Sequence, residues 1–159
     1  MKKISTIDDL KKAGEKGLKS LFPDGVKIVV GMATSGIAAG ADKVYAALNE
    51  EIKKRKLSYI LAKTGSMGMD FIEPLVDVIE KDKPRLSYGK MTPAKVPQLI
   101  DQIIKGNIDK IKPLYRIDEE DIIITNEKYQ YLKVKVPEYI KDLPKISELP
   151  FYKKQVKIV

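Results

Sequence analysis

The stretch Lys27–Asp42, KIVVGMATSGIAAGAD, constrains the fold more than any other. A β-branched run, Ile28-Val29-Val30, feeds a loop of glycine, alanine and hydroxyl residues, and a helical period then begins. A second loop of the same kind, Lys63-Thr-Gly-Ser-Met-Gly-Met-Asp70, follows another apolar run further along. Two small-residue loops that each close a strand meet at one end of an α/β sheet, where ligands bind. What the loops lack limits their chemistry, because the whole chain contains no cysteine and no histidine. Without cysteine there are no internal disulfides, thiolate nucleophiles or sulfur-held metals. Without histidine the usual neutral-pH proton shuttle and the commonest metal ligand are missing. Zinc sites, Cys–His nucleophiles and Ser–His–Asp triads are excluded by composition.

Apolar residues form 43% of the 159, enough for one domain with a core. No run approaches the ~18 apolar residues of a membrane span, and Met1-Lys-Lys-Ile-Ser-Thr lacks the apolar stretch of a signal peptide. The expected location is the cytoplasm. The net charge is +8, and only Arg55, Arg85 and Arg116 are arginine. Scattered lysines among acidic residues read as a solvated surface of the kind common in heat-adapted proteins. Nucleic-acid modules more often pair arginine with exposed aromatics, so no nucleic-acid partner is expected.

Thr6 caps a first helix that runs to Pro23-Asp-Gly25, with Asp8 and Asp9 at its positive end. Val26–Val30 reads as a central strand. Helical spacing of Ile37, Ala41, Val44, Tyr45, Leu48 and Ile52 predicts one helix over Ile37–Arg55. Leu57–Ala62 is a second strand, parallel to the first by a right-handed crossover. Leu75–Ile79 follows, with Asp77 facing solvent, and Arg85–Lys90 is its antiparallel return. Thr92-Pro93 opens a helix, with Thr92 as its capping hydroxyl. Its buried face is Val96, Leu99, Ile100, Ile103 and Ile104, and Gly106-Asn107 stops it. Beyond it, Asp121–Thr125 and Tyr129–Val136 are strand-like within a tail punctuated by proline. The order is βαβββα behind a helix, the layout of a thioredoxin-like α/β domain. It implies a four-stranded mixed sheet with helices on both faces. The divisions are 1–25 for the N-terminal helix, 26–107 for the domain and 108–159 for an extended tail. The chain ends within an apolar run, which reads as a cut.

Gly31-Met-Ala-Thr-Ser-Gly36 has the glycine spacing of a phosphate loop, but Ile37 stands where lysine would follow, and the GxGxxG pattern also fails. A helix N-terminus can still hold an anion, so a small-anion or nucleotide-binding regulatory module is the alternative reading. Ser35 and Ser66 lack a base and read as cap or turn residues. Asp70, Glu73 and Asp77, without a designed loop, make a poor calcium or magnesium site. No metal is expected. Met32, Met67 and Met69 lie in or beside the loops, where methionine fills irregular apolar space.

The segments GMATSGIAAGADKVYAAL, KTGSMGMDFIEPLVDV and YGKMTPAKVPQLI, in that order, resemble the thioredoxin-like 2Fe–2S ferredoxin domain. That domain opens the NADH-binding flavoprotein subunit of complex-I-type dehydrogenases and NAD(P)-reducing hydrogenases, and also occurs as a separate hydrogenase subunit. Pro150–Val159 resembles the segment that leads into the FMN- and NADH-binding domain. In the family, four cysteines hold the cluster, a Cys-x4-Cys pair on the first loop and a Cys-x3-Cys pair on the second. The first pair falls on Gly31 and Gly36, with Ser35 the matching position in relatives that carry Ala-Thr-Cys-Gly. The second pair falls on Ser66 and Asp70. Iron–sulfur clusters are held by thiolates, with histidine as the substitute, so the resemblance implies a cluster-free domain. Deliberate replacement by serine would explain Ser35 and Ser66 but not Asp70, which favours natural loss.

The implied role is a structural or docking module of an NADH dehydrogenase or NAD(P)-linked hydrogenase-type complex. The chain would carry no cofactor and no catalysis of its own. FMN and NADH would sit on a neighbouring domain or subunit, and the partners would be the other flavin and iron–sulfur subunits. Met32, Met67 and Met69 are expected to fill the space a cluster would take.

Overall fold

A computed structural model of the chain describes residues 3–122, 127–131 and 136–154. Helix α1 spans Ile7–Leu21. The Thr6 hydroxyl accepts the Asp9 N–H at 3.1 Å and the Asp9 carboxylate accepts the Thr6 N–H at 3.1 Å, a reciprocal cap that satisfies two otherwise free donors. α1 buries no side chain, and Ile7 and Leu10 are 74% and 60% exposed. Its last turn is tied to the body by the Lys27 ammonium, which donates to the Ser20 and Leu21 carbonyls at 2.7 and 3.2 Å.

Strand β1, Lys27–Gly31, is buried along its whole length. The cause is its place in the sheet, between β2 (Ile60–Thr64) and β3 (Val76–Ile79) in the order β2-β1-β3-β4-β5. β1 and β2 run parallel, with Gly31 opposite Thr64. β3 is antiparallel to β1, and β4 (Arg85–Tyr88) is antiparallel to β3. This βαβ unit followed by a hairpin and a helix is the expected thioredoxin-like arrangement. A strand the sequence does not announce, β5 (Tyr115–Ile117), extends it beyond β4.

The single helix expected over Ile37–Arg55 is two. α2 (Thr34–Ala38) ends before Gly40, whose φ of +96° is left-handed, and α3 (Ala41–Lys54) begins afresh. Glycine adopts that conformation without penalty and so breaks the helix. Ile37 is consequently 49% exposed and no part of the buried face. α4, Val96–Lys105, follows a 3₁₀ turn at Pro93–Lys95, where Thr92 makes no side-chain cap, and Gly106 closes it in the left-handed region. Ile104 is 52% exposed, against expectation. The buried Gln102 instead accepts the Ile111 N–H at 2.9 Å and donates to the Ile111 carbonyl at 3.0 Å and the Tyr88 hydroxyl at 3.1 Å. All its bonding groups have partners, which makes its burial tolerable.

The sheet packs α3 and α4 on one face, where Ile28, Val30 and Val78 meet Val44, Leu48 and Leu99. The tail covers the other, where Val29, Ile79 and Tyr115 lie under Leu149, Phe151 and Tyr152 around α5 (Pro150–Lys153). That cover corrects the reading of Asp77, which is 2% exposed and not solvated. The Arg85 guanidinium donates to Asp77 at 2.5 and 3.2 Å, and the Ser87 hydroxyl donates at 2.6 Å. Arg85 also reaches both Glu120 oxygens at 3.2 Å, and the Tyr131 hydroxyl donates to Glu120.

Glu120 lies on β6 (Glu119–Ile122), which pairs with β7 (Glu127–Gln130) in a separate two-stranded sheet. These strands stand near the ones expected at Asp121–Thr125 and Tyr129–Val136. Positions 123–125 and 132–135 of those, with 126 between them and 155–159 at the close, lie outside the described residues. Arg116 stitches the tail to β5, donating to the carbonyls of Ile140 and Lys141 at 3.0 Å, to that of Leu143, and to Asp118 at 3.1 Å. Among the described residues no helix is long and apolar enough to cross a membrane.

Candidate functional site

Because β1 and β2 are parallel and in register, the two small-residue loops leave the sheet at the same end. The Gly31 N–H donates to the Leu75 carbonyl at 3.0 Å and the Met32 N–H to the Thr64 carbonyl at 2.8 Å. The first loop is therefore held between the end of β2 and the segment entering β3. α2 then turns back onto β1. A Cβ placed on Gly36 would stand 2.5 Å from the Gly31 carbonyl oxygen, so only glycine fits there.

Glu73 lies against this contact. A Cβ on Gly31 would stand 3.2 and 3.3 Å from its two carboxylate oxygens, and one on Gly36 would stand 3.3 Å from Oε2. Glu73 is 9% exposed, and its Oε2 accepts the Leu75 N–H at 2.7 Å. Burial pushes its carboxyl above the ordinary range; the Leu75 bond opposes this, and the nearby charges of Asp70 and Asp77 add to it.

In the second loop the Ser66 hydroxyl accepts the Gly68 N–H at 3.0 Å and donates to Asp70 at 3.4 Å. Both side chains are exposed, so this is turn chemistry at the surface. Ser35 is half-buried in the first turn of α2. Of the sequence-derived positions, the fold thus brings Gly31 onto Gly36 and Ser66 onto Asp70.

A 2Fe–2S cluster does not fit these residues. Gly31 and Gly36 offer no donor, and the space a longer side chain would need is filled by backbone and by Glu73. The serine hydroxyls would have to lose a proton, and Asp70 is a hard oxygen donor. Among the described residues no group of three or more acidic, cysteine or histidine side chains could hold a metal ion.

The expected joint filling by three methionines is not formed. Met69 is buried and Met67 half-buried on the tail-covered face, where Met67 Sδ accepts the Tyr115 hydroxyl at 3.7 Å and its carbonyl accepts the Tyr152 hydroxyl at 3.1 Å. Met32 packs on the helix-covered face. The sheet separates them, and Glu73 is what meets the first loop. The available signal was an acid inside the apolar run Phe71-Ile72-Glu73-Pro74-Leu75.

Beside the second loop a cavity of about 300 Å³ opens between Met69, Leu114, Leu149 and Phe151, with Phe71 at its edge. Phe71 is 64% exposed, and its ring centre lies 6.1 Å from that of Phe151.

No family model matches the chain. Among solved structures it is similar to a thioredoxin-like 2Fe–2S ferredoxin from Aquifex aeolicus, at 17% identity and a TM-score of 0.49, covering 58% of this chain and 93% of that one. The wild-type ferredoxin at 1.5 Å aligns at 21% identity over 52% of this chain and 88% of its own, with a TM-score of 0.45. A cysteine-to-serine variant at 1.05 Å aligns at 21% identity over 56% and 92%, with a TM-score of 0.45. Likeness at this level says nothing of cofactor or activity.

Proposed function

We propose that this chain is a cluster-free thioredoxin-like ferredoxin domain acting as a structural or docking module in an NADH dehydrogenase or NAD(P)-linked hydrogenase-type assembly. The observation that carries the reading is the state of the vestigial ligand positions Gly31, Ser35, Gly36, Ser66 and Asp70. Gly31 and Gly36 are pressed together, Ser66 and Asp70 bond each other, and no thiolate stands anywhere. An electron carrier needs a redox centre, whereas a scaffold needs only a persistent surface. In this reading 26–107 is the inherited domain, 1–25 an added helix, and 108–159 the extension toward a flavin-bearing neighbour. FMN and NADH belong to that neighbour, and the assembly works in the cytoplasm. The cavity edged by Phe71 supports docking to it, because α5 on its wall belongs to the segment that resembles the lead into an FMN and NADH domain.

The anion-binding alternative is weakened by Glu73, whose carboxylate lies against the loop that would have to attract a negative ligand. Affinity capture of the full chain from its own cells, with mass spectrometry of the bound proteins, tests the choice. Recovery of flavin- and iron–sulfur-bearing dehydrogenase or hydrogenase subunits is expected. Their absence from the bound fraction, when they are abundant in the lysate, refutes the docking role. Phosphate-dependent thermal stabilisation would restore the alternative.

A further inference from the structure

We infer that Glu73 is an internal clamp that has taken over the first-loop site, so that its carboxylate and any side chain at position 31 exclude each other. The two glycines at the site are closed by different means. At Gly36 the obstacle is backbone, the Gly31 carbonyl oxygen 2.5 Å from an added Cβ, and no change of side chain removes it. At Gly31 the nearest obstacles are the two Glu73 oxygens at 3.2 and 3.3 Å, while the nearest backbone atom, the Leu75 carbonyl oxygen, lies at an ordinary 3.6 Å. The far end of a side chain could ordinarily swing aside, but this one is held. Its Oε2 accepts the Leu75 N–H at 2.7 Å, and Leu75 in turn accepts the Gly31 N–H at 3.0 Å. The carboxylate therefore ties the end of β1 to the entrance of β3 through one residue. If it moves away, the buried Leu75 N–H loses its partner and is left as an unpaired donor.

For the vacated site the consequence is a lock. A ligand side chain could return to position 31 only after Glu73 was lost, and to position 36 only if the loop were rebuilt. That consequence rests on the ligand positions proposed above. The exclusion between positions 31 and 73 does not, and it is measured in the native chain without any metal.

The test is a double-mutant cycle in the full chain, read by urea unfolding. Gly31→Ala is expected to raise the unfolding constant about tenfold in the wild-type background and less than about twofold in Glu73→Ala, the range of coupling found for contacting residues. Gly36→Ala should stay strongly destabilising in both backgrounds, because the Gly31 carbonyl oxygen at 2.5 Å remains in the way after the Glu73 Oε2 contact at 3.3 Å is removed. Equal cost of Gly31→Ala in both backgrounds overturns the inference. Should Glu73→Ala not fold, amide hydrogen exchange of Leu75 in the Gly31→Ala chain decides alone. Loss of Leu75 protection relative to its neighbours is expected, and unchanged protection overturns the clamp. Neither outcome bears on which subunits the chain binds, so failure here is distinct from failure of the docking reading.

Discussion

Replacing Arg85 by methionine tests the charge pair buried beneath the tail. Asp77 is 2% exposed and, among the described residues, keeps only the Ser87 hydroxyl, at 2.6 Å, once the guanidinium is gone. Glu120, the other partner, has a side chain 42% exposed and returns to water with little loss, within the ~1 kcal/mol of an exposed pair. The penalty therefore falls almost wholly on Asp77. Removing one partner of a buried pair costs about 3–5 kcal/mol, and the surviving Ser87 bond puts this site near ~3 kcal/mol. For a chain of this size that corresponds to a fall of about 6–12 °C in Tm. Asp77→Asn combined with Arg85→Met should recover most of the loss, because no charge is then left buried. Urea unfolding of the wild-type, single and double variants measures the coupling. Strict additivity, or a single-variant loss below ~1 kcal/mol, would refute the view that Asp77 and Arg85 form a coupled buried charge pair.

Three further outcomes are expected. The folded-state carboxyl of Glu73 lies above its ordinary 4.5, so its contribution is fully present below that value and fades as pH rises through the folded-state value. Glu73→Gln removes this dependence. Its stability relative to wild type should rise from about pH 4 to pH 7, and parallel urea midpoints across that range would contradict the burial. Gly14→Ala places a methyl in open space in the exposed α1, so it should add about 0.5–1 kcal/mol of helix stability, read as a higher midpoint by far-UV circular dichroism. Phe71→Asp, at a side chain 64% exposed, should leave Tm within ~2 °C, as surface changes do, and abolish capture of the proposed flavoprotein partner. Undiminished capture would take Phe71 out of the docking surface.

Local signals read truly where one residue decides the backbone. Thr6 with Asp9 starts α1, Gly106 ends α4, and the parallel pairing of β1 with β2 follows from the helix between them. Where the outcome depended on distant partners, the sequence misled. Gly40 sits among alanines that keep the helical period, so nothing nearby marked the turn it makes. Asp77 looked solvated because strand alternation shows which residues share a face, not whether another segment covers it. The cover is the tail, and β5 within it is three residues long beside Pro113 and Asp118. The positions proposed as vestigial lie in small-residue loops that were legible in the sequence. Glu73, which fills the first of them, was visible only as one acid in an apolar run, because its role depends on two glycines far from it in the chain.

The three arginines divide the protein's positive charge into two kinds. Arg55 reaches Asp101 at 2.5 Å and so joins α3 to α4, Arg85 joins sheet to hairpin, and Arg116 joins β5 to the tail. Among the described residues, the lysines other than the buried Lys27 lie at or near the surface. Amine acylation would strip most of the positive surface while leaving these three joints intact. Dicarbonyl reagents that consume guanidinium would reach Arg55, whose side chain is 26% exposed, well before Arg85 and Arg116 at 11% and 10%. The surface charge can therefore be removed by reagent without opening the two buried joints.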